Sequence, residues 1–189
     1  MIERAPLGKL PHDLMDTVSK EMFDMTRREL EVTELSEKKA ILDKCKILHL
    51  GLVDDGMPYI VPMNFGYLME GEKLTLIMHC AVKGYKLDVI AKNPVCCFEM
   101  ECDVQPFEGE KACQYGTAYE SLMGRGEVHV VTDVQEKIDL MTAFMSSQTG
   151  KYFEFNDKLV SIVTMLKVDV SEYTAKRRLL PAVMRMEKA

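Results

Sequence analysis

Lys83 and Lys86, placed after a lone histidine by a small-residue turn, could together hold a doubly charged anion. They lie in Leu76–Glu99, which reads LIMHCAVKGYKLDVIAKNPVCCFE. The pattern is an apolar strand ending at His79, a turn, a short helix stopped at Asn93-Pro94, and a second apolar strand. Residues three apart on a helix share a face, and a helix N-terminus adds free N–H groups and the positive end of a dipole. A phosphate would meet two point charges there, without the bidentate grip of arginine. The plainer reading is two solvated surface lysines. His79 could hydrogen-bond a ligand or pass a proton, since histidine titrates near neutrality; it could equally be a packing residue that ends a strand. Nothing in the segment looks like a catalytic nucleophile. If the phosphate belongs to a cofactor, the cofactor brings the chemistry and the chain places it.

Other residues could serve a ring-shaped ligand. Asn64, followed by Phe65-Gly66, offers both a donor and an acceptor, and Gly66 permits close approach; ordinary strand chemistry explains it as well. Tyr67, Tyr115 and Tyr119 could wall a pocket, though tyrosines are common on strands. Gly124-Arg125-Gly126 is a fragment of a dinucleotide fingerprint, but it falls on a strand and not at a strand–helix turn. The chain has no GxxxxGK[ST], G-x-S-x-G or HExxH, which removes the usual routes to nucleotide hydrolysis, acyl transfer and zinc proteolysis. His12, His49 and His129 have no partners nearby in sequence, so no metal site is expected. The six cysteines include no C-x-x-C, and adjacent Cys96 and Cys97 would point to opposite faces of a strand. Reduced, mostly buried thiols in a cytoplasmic protein are the expectation.

The elements that must position these residues follow from periodicity and turn chemistry. Leu14, Met15, Val18, Met22 and Phe23 recur at helical spacing behind Asp13, predicting an amphipathic helix in an N-terminal extension, residues 1–25. A helix is expected over Ser36–Lys44, capped by Ser36, with Ile41 and Leu42 inward. Strands are expected over Ile47–Val53, Tyr59–Tyr67, Leu74–His79, Val95–Met100, Tyr119–Val131 and Leu159–Val170. Asp54-Asp55-Gly56 predicts a hairpin turn, and Pro62 gives its strand an edge or a break. Cys102–Ala118, polar and holding Pro106, reads as a long loop that could cover a site. Gly124 and Gly126 suggest a bulge, or a place where something approaches the backbone. Asp133–Gln148 is a helix with Asp133 as cap, Glu136 completing a capping box and Gly150 as the stop. Its Ile138, Met141, Phe144 and Met145 form a core stripe. Residues 171–189 form a basic tail. Short strands without long βα alternation imply a mainly β, antiparallel barrel with flanking helices.

Composition narrows the function classes. With 189 residues the chain suits one domain plus an appended segment. A net charge of -6 argues against nucleic-acid binding, which needs a cationic surplus. No apolar run approaches the roughly 18–20 residues that span a bilayer, and the N-terminus lacks the apolar core of an export signal.

The order of these pieces resembles the pyridoxamine 5'-phosphate oxidase-like flavoproteins with the FMN-binding split-barrel fold, closest to the 5-nitroimidazole-resistance (Nim) branch. Four segments carry the resemblance: Leu48–Leu52 with the DDGMPYIVPMNFGY hairpin, LIMHCAVKGYKLDVIAKNPVCCFE, YESLMGRGEVHVV and LVSIVTMLKVDV. They run over residues 26–170. The resemblance implies a homodimer with two FMN sites at the subunit interface. Pro62, Met63, Asn64 and Phe65 would line the flavin ring, largely through backbone groups. His79, Lys83 and Lys86 would hold the phosphate end, helped by Ser121 and the Met123-Gly124-Arg125 backbone. His79 is also the implied catalytic residue, near flavin and substrate. The implied function is FMN-dependent reduction of small electron-poor compounds, nitroaromatics among them, with a nicotinamide as reductant. A flavin- or haem-binding protein without turnover is the alternative.

Overall fold

The structure is a computed structural model that describes residues 27–182. The helix expected between Leu14 and Phe23 therefore lies outside the described residues. Met1–Glu31 and Val32–Ala189 are two compact units. The described part of the first holds one 3-10 turn, Arg28–Leu30; the rest of the description concerns the second.

Helix α1 (Leu35–Lys44) begins one residue earlier than expected, because the Glu34 carbonyl accepts from the Glu37 and Lys38 amides. Ser36 is thus inside the helix and does not cap it. Ile41 and Leu42 face inward as predicted. Strands β1 (Ile47–Asp54) and β2 (Met57–Asn64) form a hairpin whose turn residues, Asp55 and Gly56, have φ of 48° and 86°. Positive φ at both central positions gives the turn whose twist matches antiparallel strands. The single strand expected over Tyr59–Tyr67 is two. β2 stops at Asn64, and β3 (Gly66–Glu70) starts after Phe65.

Strand β4 (Lys73–Cys80) leads to helix α2 (Tyr85–Lys92), which stops at Asn93 as expected. Strands β5 (Val95–Phe107) and β6 (Gly116–Val130) replace the long loop predicted over Cys102–Ala118. Beyond an irregularity between Cys102 and Gln105, where Asp103 adopts φ 52°, the strands pair again through Phe107–Gly116. Phe107 and Ala118 are buried there, but the intervening polar residues and Pro106 break the apolar alternation, so it gave no strand signal. Helix α3 (Val134–Thr149) has its predicted ends: Asp133 accepts from the Glu136 amide, and Gly150 closes it at φ 68°. The Glu136 carboxylate does not complete a capping box. It turns instead to Lys167, 2.8 Å away. Leu159 and Val160 belong to a four-residue helix, α4 (Asp157–Val160), capped by Asn156. The last strand, β7 (Thr164–Arg178), runs eight residues past its expected end, and Glu172–Arg178 pairs with β6 and is not tail.

Among the described residues, seven strands form one antiparallel sheet in the order β2-β1-β5-β6-β7-β4-β3. The two edge strands, β2 and β3, are joined by Phe65 alone. The sheet must therefore curl until its edges meet at that residue while staying unpaired along the rest. This is the predicted mainly β architecture, a barrel that is not closed. Its interior holds Leu48, Leu50, Leu52, Phe98, Met100, Leu122 and Val168, with Ile41 and Leu42 of α1 and Val89 and Ile90 of α2 plugged in. A second core forms outside the barrel, where Leu140, Met141 and Phe144 of α3 cover Ile77 and Met165. Among the described residues no helix is long and apolar enough to cross a membrane. All six cysteines are free thiols.

Candidate functional site

Strand β2 pairs on one side only, so every second residue turns its N–H and C=O away from the sheet. Along it, Pro62 and Asn64 are exposed on the outward face, while Met63 and Phe65 are buried. The Asn64 amide donates to the Lys46 carbonyl at 3.3 Å, and Gln148 of α3 donates to the Phe65 carbonyl at 2.6 Å. Gly66 does admit a close neighbour, but the neighbour is protein: a Cβ there would lie 2.6 Å from the Phe144 Cα.

The same Phe144 ring meets His79 edge-on, with centroids 4.8 Å apart. His79 ends β4 opposite Met165, exposed on its free side. Burial of the other side lowers its pKa below the ordinary value, which favours the neutral ring near pH 7.

Lys86 lies in the first turn of α2, and its Nζ is 3.4 Å from the Met63 Sδ. Lys83 precedes the helix and is exposed. The two lysines therefore do not share a helix face; they flank Gly84 and Tyr85 on the approach to it. Helix α2 is fixed to the β1–β2 hairpin by Lys92, 3.0 Å from Asp54, by the Tyr85 hydroxyl donating to Asp54, and by the Tyr59 and Tyr85 rings at 5.2 Å. Pro62, Met63, Asn64, Phe65, His79, Lys83 and Lys86 are thus gathered around the end of β2 and the start of α2.

The β6 residues are elsewhere. Ser121, Met123 and Arg125 alternate on the outward face, whereas Gly124 is buried. A Cβ on Gly124 would lie 2.5 Å from the Glu172 carbonyl oxygen, and one on Gly126 would collide with that of Asp169. Strand β7 is what approaches these glycines, across the predicted irregularity at Arg125/Gly126. Arg125 is ion-paired to Glu172 at 2.5 Å. One outward row crosses the sheet as Pro62, His49, Glu99, Met123 and Thr174. Three strand steps separate Pro62 from Met123, about 14 Å over the surface. His79 is further away: its row passes through Met165 to Val131, whose amide donates to the Met165 carbonyl, and Val131 is roughly 26 Å along β6 from Met123. Within one chain the two groups of predicted residues do not meet.

Three charged clusters escaped the sequence reading. His49 does have partners: its Nδ1 is 3.2 Å from Glu99, and Glu101 adjoins them. Burial, then contact with Glu101, raises the Glu99 carboxyl. His129 also has partners, 3.5 Å from Asp169 and 3.9 Å from Glu127. Glu120, 7% exposed, accepts from Lys44 at 2.7 Å and from Arg177. Burial would raise its carboxyl, but the two cations outweigh that and hold it below its ordinary value. Glu99 and Glu101 share a strand face by simple alternation, so their proximity was readable; His49 needed the strand order. Grooves of about 660 Å³, beside Lys39, Tyr67 and Gln148, and 570 Å³, beside Tyr119 and Arg178, include neither Lys83 nor Lys86.

The family model for pyridoxamine 5'-phosphate oxidase matches residues 34–177. No curated protein sequence matches the chain. Among solved structures, a candidate 5-nitroimidazole antibiotic resistance protein from Bacteroides thetaiotaomicron is 28% identical with a TM-score of 0.67, over 78% of this chain and 86% of that one. A flavocytochrome from Azotobacter vinelandii is 18% identical with a TM-score of 0.68, covering 83% and 73% of the two chains. An FAD- and haem-binding protein from Mycobacterium smegmatis is 17% identical with a TM-score of 0.64, covering 84% and 80%. At these lower identities the last two establish a shared fold.

Proposed function

The chain belongs to the pyridoxamine 5'-phosphate oxidase-like family, and on that premise we propose that it is an FMN-dependent oxidoreductase reducing small electron-poor molecules, nitroaromatics among them. The carrying observation is the pairing of two cations, Lys83 and Lys86, with the unpaired edge of β2, brought together by the contact between Lys86 and Met63. The likeness to the nitroimidazole-resistance protein supports the substrate class, and the fold shared with the FAD- and haem-binding protein suits a flavin.

The residues fit such a cofactor. Lys83 and Lys86 supply positive charge for a phosphate, with no acid ion-paired to either among the described residues. The backbone of Pro62–Phe65 offers hydrogen bonds to the polar edge of a ring. Bound FMN supplies reversible one- and two-electron transfer. His79, whose lowered pKa favours the neutral ring near pH 7, would accept a hydrogen bond from a bound ring or substrate and would carry a proton between it and solvent. Phe144 fixes the plane of that imidazole. Ser121, Met123 and Arg125 lie too far along the sheet to act in the same site of one chain, so we assign them to a site shared by two copies in a homodimer. A nicotinamide serves as reductant, in a cytoplasmic setting.

The test is spectroscopic. The purified protein, or the protein titrated with FMN, is expected to show a bound oxidised-flavin spectrum. Reduced nicotinamide should bleach it, and a nitroimidazole should restore it faster than air does. A colourless preparation that ignores FMN would overturn the flavin assignment. A bound flavin that no acceptor reoxidises faster than air would mark a flavin-binding protein without turnover.

A further inference from the structure

We propose that His49, Glu99 and Glu101 form a binding site for a divalent transition cation of the Zn²⁺ or Mn²⁺ type on the outward face of the sheet. One ligand atom from each residue lies within 4.8 Å of the other two, and the His49 Nδ1 is 3.2 Å from a Glu99 oxygen. The backbone dictates this convergence. His49 stands directly opposite Glu99 in the β1–β5 pair, and Glu101 follows two residues along β5 on the same face. Two carboxylates on one strand face repel each other, and either a shared proton or a bound cation relieves that repulsion. Among the described residues, the one basic side chain in ion-pair distance of either is His49.

The contrast with a second cluster sharpens the assignment. Cys102, Asp103 and Glu120 also bring three ligand atoms together, but Lys44 lies 2.6 Å from Asp103 and 2.7 Å from Glu120, and Arg177 also binds Glu120. That cluster already holds its cations. The His49 cluster has an imidazole nitrogen and two carboxylates in its place, with no Lys or Arg in ion-pair distance among the described residues. One imidazole and two carboxylates suit Zn²⁺, Mn²⁺ or Fe²⁺, and three ligands from one side leave positions for water. Ca²⁺ would need six or more oxygens. The site lies in one row with Pro62 and Met123, on the face that the proposed homodimer would bury, but its titration needs no FMN.

The test uses the full chain, stripped with chelator and titrated calorimetrically with ZnCl₂ and separately with MnCl₂. One ion per chain is expected. The affinity should fall about tenfold or more in each of His49→Ala and Glu101→Gln, while Glu127→Gln, on the neighbouring histidine cluster, keeps it. Near-ultraviolet circular dichroism checks that each variant is folded. Should either variant unfold, paramagnetic resonance of Mn²⁺ with Glu101→Asp, which keeps the charge but shortens the reach, decides the matter by weakened binding. Failure of the parent protein to bind either ion at millimolar concentration would overturn the proposal, as would undiminished binding in both folded variants.

Discussion

His79 shows how a residue's surroundings select its chemistry. The Phe144 ring and the strand beneath it desolvate one side of the imidazole, so its folded pKa lies below the unfolded value of about 6.5. Below that pH the unfolded chain binds the proton more readily than the folded one. The contribution is fully present above pH 6.5 and is lost as the pH falls through that region. His79→Gln, which cannot titrate, should therefore flatten the acid side of a melting-temperature profile taken between about pH 7 and pH 5. An unchanged slope would assign the acid sensitivity to other groups. The lysines support a second expectation. Replacing Lys83 and Lys86 together by alanine should weaken FMN binding by about 1–3 kcal/mol for each charge-assisted contact and flatten its salt dependence; fluorescence titration at two ionic strengths measures both. The types and order of these residues were legible in the sequence. The thioether beneath Lys86, the ring against His79 and the acids opposite His49 were not, because each comes from a distant segment.

Helices and strand starts were readable wherever apolar periodicity or turn chemistry marked them, as at Asp133, Gly150 and Asp55-Gly56. Strand ends were hidden where polar residues and a proline interrupt the apolar alternation, although Phe107 and Ala118 are buried there. β5 and β6 continue well past Met100 and before Tyr119, yet Pro106 and the surrounding polar residues look like loop. β7 likewise outlives its apolar alternation because β6 pairs with it to Arg178. Gly124 and Gly126 were recognised as special, and the close contact is with the neighbouring strand. A methyl group at Gly124 would meet the Glu172 carbonyl at 2.5 Å and the Phe98 ring at 2.6 Å. Gly124→Ala should thus cost about 1–3 kcal/mol of stability by urea unfolding, while the folded fraction still takes up FMN. Full stability with lost FMN affinity would show that this glycine serves a ligand instead.

Across the whole molecule, helices cover the outside of β4 and the adjoining part of β7, while the opposite outward face carries Ile60 at 65% and Met123 at 44% exposure. The homodimer proposed above would bury that face and join the two groups of candidate residues. Ile60→Glu is expected to shift the flavin-loaded protein from two chains to one in sedimentation equilibrium, with FMN affinity falling in step. A monomer that keeps its FMN affinity would place the cofactor within one chain. The link through Phe65 has a mechanical consequence. A single buried residue clasps both rims of the barrel, so any breathing motion must pivot there and gape at the far end, past β2's start and β3's finish. Backbone amides near Asn64 and Gly66 should then exchange hydrogen slowly, and those near Met57 and Glu70 quickly. Inserting a few glycines after Phe65 would free the hinge and let the barrel unroll.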